Sequence, residues 1–326
     1  MAFVVVGAGA VGAVVGGRLH QAGHDVTLLA RGANLDALRT KGLRLESPDG
    51  SDMVAVPVTG DLDEIGWRNQ IVLLAVKSQH THEALARLSL SAPATTPVVC
   101  LQNGIVNEPA ALRLFADVYG VSVACPTSYL QPGMVQAWST PVTGLLDIGR
   151  YPFGTDETCE RVAQAFASAT FDAHPIADIR RWKHRKLLSN LGNVIEAVCG
   201  PSARQGRLGD LLLAEGEAVL RAAGLEAATG EEDRSRRADL LHLGRINGTG
   251  RPGGSTWQSL RRGSGDVETD YLNGEVVLLG RMHAIATPAN ELMQQLAREC
   301  VTGRRSAASL TESQVLDRIA TISAPS

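Results

Sequence analysis

Cysteine is scarce and poorly spaced for chemistry. The 326 residues hold five, Cys100, Cys125, Cys159, Cys199 and Cys300, odd in number, far apart and without a C-x-x-C pair. That excludes a disulfide framework and a thiolate zinc site, and leaves five small apolar side chains expected in the interior. An excess of one charge is lacking too: 31 Lys and Arg stand against 34 Asp and Glu, a net of -3. No broad field exists for nucleic acid or an anionic membrane, so any small anion must be held by local groups. Long apolar runs are also missing. The first, Phe3 to Val6, has no basic leader and is broken at Gly7, so we expect neither a signal peptide nor a membrane span, and a cytoplasmic protein. No Gly/Ser linker marks a boundary, although the length allows two domains.

What is present begins at once. Phe3-Val4-Val5-Val6 is a short β-branched run suited to a buried parallel strand. Gly7-Ala8-Gly9-Ala10-Val11-Gly12 follows as a G-x-G-x-x-G. In such a turn Gly7 permits the tight bend, Gly9 lets the backbone approach a pyrophosphate, and Gly12 lets the next helix pack on the strand. That helix carries Val11, Val14, Val15 and Leu19 at helical spacing, ends at Gly23, and gives way to a second strand, Asp25 to Ala30. Strand, glycine turn, helix and strand form a βαβ unit for a dinucleotide, with phosphates at the helix N-terminus. A carboxylate at the tip of the second strand would bind a free ribose hydroxyl, but the residues there are Ala30-Arg31-Gly32. A guanidinium accommodates a 2′-phosphate, so NADP(H) is the expected cofactor.

Further along, Leu43 to Glu46 and Met53 to Val58 flank the turn Ser47-Pro48-Asp49-Gly50, a hairpin expected inside the main sheet. Ile71 to Val76 reads as a central strand with Lys77 at its carboxyl end, where ligands bind in open α/β sheets, making Lys77 a phosphate or ribose candidate. Pro97 to Leu101 likewise ends in Gln102-Asn103-Gly104, and Asn103 is a cofactor candidate or a turn former before Gly104. His80 and His82 have no third ligand at metal-site spacing except Glu83, so no metal is expected. Val118 to Cys125, Met134 to Trp138 and Gly144 to Ile148 are predicted strands, and Asp156 to Ala169 a helix. Beyond Ile179 nearly everything has helical period. The fold class is therefore α/β: a Rossmann-type domain, residues 1–177, then an all-helical domain, residues 178–326.

The second domain is expected to open with one long helix from Ile179 to about Cys199. Lys186, Asn190 and Asn193 fall on one face at i, i+4 and i+7. Asparagine is a poor helix former, so two beside a lysine among Leu187, Leu188, Leu191, Val194 and Ile195 suggest a polar constellation facing a cleft. A lysine ammonium can stabilise and protonate a developing alkoxide. Arg181, Lys183 and Arg185 crowd the same stretch, and like charges with partial burial would lower the proton affinity of Lys186. The other reading is a run of solvated basic side chains. Further helices are expected over Gly209 to Ala223, Glu231 to Ile246, Val267 to Met282, and from Thr287 as cap with Pro288 at the first position to Val301; the tail from Thr311 to Ile322 adds a last one.

Taken together, the glycine turn, Arg31, Lys77, Gln102-Asn103-Gly104, Arg185-Lys186-Leu187-Leu188-Ser189-Asn190 and Val267-Glu268-Thr269-Asp270-Tyr271-Leu272-Asn273-Gly274 give the chain its family likeness. Over nearly its full length it resembles the 2-dehydropantoate 2-reductases, the NADPH-dependent ketopantoate reductases. The resemblance implies a substrate cleft between the two domains and Lys186 as proton donor to the ketone oxygen. It also implies that Asn190 orients Lys186 and substrate, and that Asn103 meets nicotinamide and substrate. Ser255 would hold the substrate carboxylate, and Glu268 would sit at the boundary of substrate and cofactor. Locally, Ser255 also suits a helix cap and Glu268 a helix N-terminus.

Two positions depart from the family pattern. A second asparagine four residues after the first is replaced by Val194, with Asn193 one place early, and an asparagine three residues before the serine is replaced by Pro252. Each lost contact would cost about 1–3 kcal/mol, if a buried substrate group is left unpaired. The reading is an NADPH-dependent reductase of a small 2-oxo acid, ketopantoate to pantoate first. The alternatives are a related ketone or imine reductase, or a non-catalytic NADP(H)-sensing protein; a homodimer is compatible with all three.

Overall fold

The computed structural model describes residues 1–200, 203, 206–251, 253–261 and 267–323, with Ser255, Arg261 and Ser323 in backbone only. The chain divides into two compact units, Met1–Lys183 with Thr229–Arg251, and His184–Ala228 with Pro252–Ser326.

The first unit is built on β1 (Ala2–Val6), α1 (Ala10–Gln21), β2 (Asp25–Leu29), α2 (Gly32–Lys41), β3 (Leu43–Ser47), β4 (Gly50–Val54), β5 (Val58–Thr59), β6 (Gln70–Leu74), α3 (Thr81–Ser91), β7 (Val98–Cys100), α4 (Asn107–Leu112), β8 (Val118–Ala124), β9 (Thr127–Gln131), β10 (Met134–Ala137), β11 (Ser139–Pro141), β12 (Gly144–Arg150), α5 (Glu157–Ser168) and β13 (Phe171–Asp172). Eight strands form one sheet in the order β13-β12-β8-β7-β6-β1-β2-β5. From β8 to β5 all pairings are parallel, β12 pairs antiparallel with β8, and β13 lies parallel to β12. Successive residues of β1 bury on opposite faces, Phe3 and Val5 in one core cluster, Val4 and Val6 in another. Helices cover both faces, so these strands read as unbroken apolar runs.

A hairpin forms here, but with a tighter turn and an earlier second strand than expected, Leu43 to Ser47 against Gly50 to Val54, while Val58 joins the main sheet; the hairpin itself is not in the main sheet. It belongs to a second sheet, β4-β3-β10-β9, because the free edge of β2 is taken by β5. Leu43 and Leu45 instead turn their buried side chains onto α1, close enough that a Cβ at Gly17 would lie 2.8 Å from Leu43. β9 is a strand the sequence pattern did not mark.

α6 (Ile179–Asn190) carries the last residues of the first compact unit and the first of the second, which meet between Lys183 and His184. The chain then runs through α7 (Asn193–Cys199) and α8 (Arg207–Ala222) before α9 (Gly230–Arg237) and β14 (Leu241–Leu243) return to the first unit. The helix expected over Glu231 to Ile246 thus stops at Arg237, where Ala238 turns to a φ of +28°. Leu241 to Leu243 pair antiparallel with Pro141 to Ser139, so this part is not all-helical. The return is anchored by Arg236, whose guanidinium meets Asp147 at 2.7 Å and Asp172 at 2.6 Å.

The second unit continues with α10 (Ser255–Arg261), α11 (Asn273–Met282), α12 (Pro288–Val301) and α13 (Glu312–Ser323). Leu188, Leu191, Val194, Leu212, Val276 and Met293 are among its buried residues. Pro288 opens α12 as expected, but the Thr287 hydroxyl makes no cap. The Glu215 carboxylate takes that place, accepting the N–H groups of Ala289 at 2.8 Å and Asn290 at 2.9 Å. Cys100 and Cys159 are buried, the other three cysteines half-buried, and no disulfide joins any of the five. No described helix is long and apolar enough to cross a membrane.

One carboxylate gives a stability prediction. Asp156 caps α5 through the Cys159 N–H at 3.0 Å and accepts from Arg150 at 2.8 Å and the Tyr119 hydroxyl at 2.9 Å. Burial alone would raise its pKa, but these hydrogen bonds together hold it below the ordinary aspartate value. A depressed native pKa contributes stability that is present above the unfolded value near about pH 4 and lost as pH falls through the native one. Asp156→Ala is expected to cost about 1–2 kcal/mol at neutral pH. In thermal melts its gap from the parent should close at the acid end; a gap that stays constant down to the acid transition would refute the charge contribution.

Candidate active site

The loops carrying the cofactor candidates leave the carboxyl ends of adjacent parallel strands: the glycine turn after β1, Arg31 after β2, Lys77 after β6 and Asn103 after β7. The three glycines differ in their surroundings. Gly7 has a φ of +109°, and a Cβ there would lie 2.8 Å from the Val76 nitrogen. A Cβ at Gly12 would lie 2.1 Å from the Gly7 carbonyl oxygen, so only glycine lets α1 start this close to the turn. At Gly9 a Cβ would meet nothing within 4 Å. Packing does not require glycine there, and α1 starts at Gly9 with no side-chain cap on its first-turn N–H groups. A bare helix N-terminus behind an open glycine fits a dinucleotide pyrophosphate. Ala8 is buried, while Ala10 and Val11 are half-buried on α1.

Asn34 braces this turn. Its amide donates to the Ala8 carbonyl at 2.9 Å, and its oxygen accepts the Gly133 N–H at 2.9 Å. Sequence reasoning missed it, although asparagine in the first turn of a helix is a usable hint of side-chain to backbone bonding. Arg31 precedes α2 with its guanidinium exposed, 3.5 Å from Glu83. Lys77 is half-buried and leads into a short 3-10 turn, Ser78–His80. Asn103 precedes Gly104, whose φ is +80°, in a bend after β7. The Asn103 carbonyl accepts from the Asn107 amide at 3.0 Å and the Ser78 hydroxyl at 3.4 Å.

For Lys183, neither an unpaired charge crowding Lys186 nor a solvated basic side chain describes what is found. Its side chain is 4% exposed and lies 2.6 Å from the Glu108 carboxylate, itself 1% exposed. The ammonium also donates to the Gln102 carbonyl at 2.9 Å. Burial pushes the Glu108 carboxyl above the ordinary glutamate value, with the Lys183 charge working against the rise. Arg181 is likewise paired, with Glu232 at 3.0 Å. Two of the three charges thought to press on Lys186 are thus neutralised by partners, and crowding loses its force as a reason for a lowered proton affinity there.

In the second unit, the expected single helix breaks after Asn190. Leu191 and Gly192 make a turn, with the Leu191 N–H on the Leu188 carbonyl at 3.3 Å and the Ile195 N–H on the Gly192 carbonyl at 3.1 Å. Lys186, half-buried, and Asn190, buried, keep their i, i+4 relation on α6. Asn193 opens α7 instead, yet its amide still reaches the Asn190 side-chain oxygen at 3.3 Å. Glu196, 5% exposed, accepts the Gly254 N–H at 2.5 Å just before α10. The Ser255 side chain and Pro252 lie outside the described residues. Glu268 starts a 3-10 turn, Glu268–Tyr271, and α11 begins only after Leu272, so the continuous helix from Val267 is two elements. Among the described residues no three His, Cys, Asp or Glu side chains cluster as a metal site would need.

The sequence model of ketopantoate reductase PanE/ApbA matches residues 3–150, and its C-terminal counterpart matches residues 178–301. The chain belongs to the ketopantoate reductase family. Its relatives include the 2-dehydropantoate 2-reductases of Pyrococcus horikoshii, 28% identical over 91% of this chain and 97% of the relative, and of Mesorhizobium japonicum, 30% identical over 93% and 99%. The crystal structure of a PanE/ApbA family ketopantoate reductase from Ralstonia eutropha superposes with a TM-score of 0.78 at 28% identity, covering 93% of this chain and 99% of that one. As a family member the chain is an oxidoreductase. Where the reductase pattern has its second asparagine, Val194 is 1% exposed and part of the apolar interior.

Proposed function

We propose that this reductase draws hydride from NADPH to reduce a small 2-oxo acid, with ketopantoate to pantoate as the leading pair. The glycine turn carries the cofactor half of the reading: Gly9 is the one of its three glycines that packing leaves open, and it sits at an uncapped helix N-terminus. Bound there, the nicotinamide supplies the hydride. Gly7 to Gly12 would hold the pyrophosphate, Arg31 the 2′-phosphate, Lys77 the phosphate or ribose, and Asn103 the nicotinamide end. Lys186 then supplies the proton to the carbonyl oxygen, and its ammonium stabilises charge developing there. Asn190 holds Lys186 and substrate in register, and Ser255 and Glu268 contact the substrate. Steady-state oxidation of NADPH with a panel of 2-oxo acids tests this directly, and negligible turnover of ketopantoate would remove the leading pair.

The buried Val194 favours a second reading, another ketone-bearing substrate in the same chemistry. A polar substrate group that the family meets with asparagine has no partner on an apolar side chain. In the same panel, a different 2-oxo acid with a higher kcat/KM would select it.

Arg31 makes the cofactor preference testable. An exposed guanidinium held only loosely by Glu83 is available to a phosphate dianion, and a hydrogen bond between charged groups is worth about 1.5–3 kcal/mol. Arg31→Ala should weaken NADPH binding by about 10- to 100-fold and leave NADH binding nearly unchanged. Equal affinity of the parent protein for NADPH and NADH would overturn the assignment.

A further inference from the structure

Resting on the assignment of Asn103 to the nicotinamide end, we propose that Lys183 is a positioning residue: its ammonium, buried beside Glu108, clamps the Gln102 carbonyl and so fixes the direction in which Asn103 presents its side chain. Stability alone does not account for the pair. Both side chains are almost wholly buried, and replacing a buried ion pair by apolar groups of similar volume is often neutral or stabilising. The space is also reserved. Gly120, inside β8, is packed so that a Cβ would lie 3.2 Å from the Lys183 chain and 3.3 Å from the Glu108 carboxylate.

The donors show what the ammonium holds. Besides Glu108 it reaches the carbonyls of Gln102 at 2.9 Å and Val121 at 3.4 Å, tying the loop after β7 to the neighbouring strand β8. A trans peptide is planar with its C=O and N–H opposed, so fixing the Gln102 carbonyl also fixes the Asn103 N–H. On the other side of the same residue, the Asn103 carbonyl is held by Asn107, itself fully buried, and by Ser78. Asn107 is in turn bonded to Ser78 at 3.2 Å and to Thr81 at 2.8 Å, and the Gln102 amide to Thr81 and the Val76 carbonyl, both at 2.8 Å. Both peptide groups flanking the Asn103 Cα are therefore immobilised. With them set, the Cα–Cβ direction is set, and preorganisation of this kind is worth rate rather than stability.

Two variants separate the roles. Lys183→Met/Glu108→Leu removes both charges together and should melt no lower than the parent. It should bind 2′,5′-ADP, which has no nicotinamide, within about twofold of the parent, because the glycine turn and Arg31 are untouched. Its kcat with NADPH and the best 2-oxo acid should fall by about 10- to 100-fold, the cost of misplacing a reacting group by about an ångström. In an Asn103→Ala background the same pair of substitutions should have little further effect. Glu108→Gln, which keeps the Lys183 donor, should show the converse: a lower melting temperature with kcat within about threefold of the parent. Parental kcat in the double variant, or a loss undiminished when Asn103 is already alanine, overturns the proposal alone. A parent chain that oxidises NADPH with no ketone brings down both this proposal and the reading it rests on.

Discussion

Gly9→Ala is expected to fold with the stability of the parent and to lose most of its affinity for NADPH. The φ of -82° and ψ of -160° at Gly9 are open to alanine, and the added methyl meets no protein atom within 4 Å. Its melting free energy should stay within about 0.5 kcal/mol of the parent. If Gly9 is where the backbone approaches the pyrophosphate, as proposed, the methyl stands in its way. Each charge-assisted bond to phosphate lost or lengthened costs about 1.5–3 kcal/mol, so a 100-fold or greater rise in the Kd for NADPH is the expected order. Gly12→Ala provides the contrast. Its Cβ would lie 2.1 Å from the Gly7 carbonyl oxygen, so the turn itself must move, and stability should fall together with binding. Calorimetric titration with NADPH and a thermal melt on each variant separate the two cases. A Gly9→Ala protein that binds NADPH as the parent does would place the phosphates elsewhere.

Lys186→Ala should leave cofactor binding within about twofold and lower kcat by about 10²- to 10⁴-fold, the range over which a positioned acid and its charge contribute. The half-buried Lys186 sits one helical turn before Asn190, and neither residue belongs to the glycine turn or its neighbouring loops. Loss of turnover with intact NADPH affinity is therefore the signature of a proton donor. A variant that keeps more than about a tenth of parental kcat would assign the proton to another group.

The geometry of the glycine turn was legible because each requirement there is local. A positive φ at Gly7, contact at Gly12 and openness at Gly9 are properties of six consecutive residues. The second sheet was not legible, because β3 finds its partner in β10, some 90 residues later, and no local pattern names that choice. The break between α6 and α7 was hidden for a different reason. Leu187, Leu188, Leu191, Val194 and Ile195 are all buried, so the apolar spacing continues although the backbone helix does not. Lys183 was misread because a lysine in the run Arg180 to Lys186 looks unpaired until Glu108, far off in sequence, is placed beside it. The threonine cap of α12 failed in the same way, supplanted by Glu215 from another helix.

The return of residues 229–251 to the first unit has a consequence for how the protein is made. On the ribosome, both α7 and α8 emerge before the segment that supplies Arg236 to Asp147 and β14 to β11. A nascent chain therefore has every strand of its main sheet synthesised while two acidic side chains, Asp147 and Asp172, lack their cation and a short strand lacks its neighbour. A stand-alone reagent cut at Lys183 would be arrested in that state for good. A minimal cofactor-binding fragment should instead be spliced, with 229–251 rejoined through a short tether.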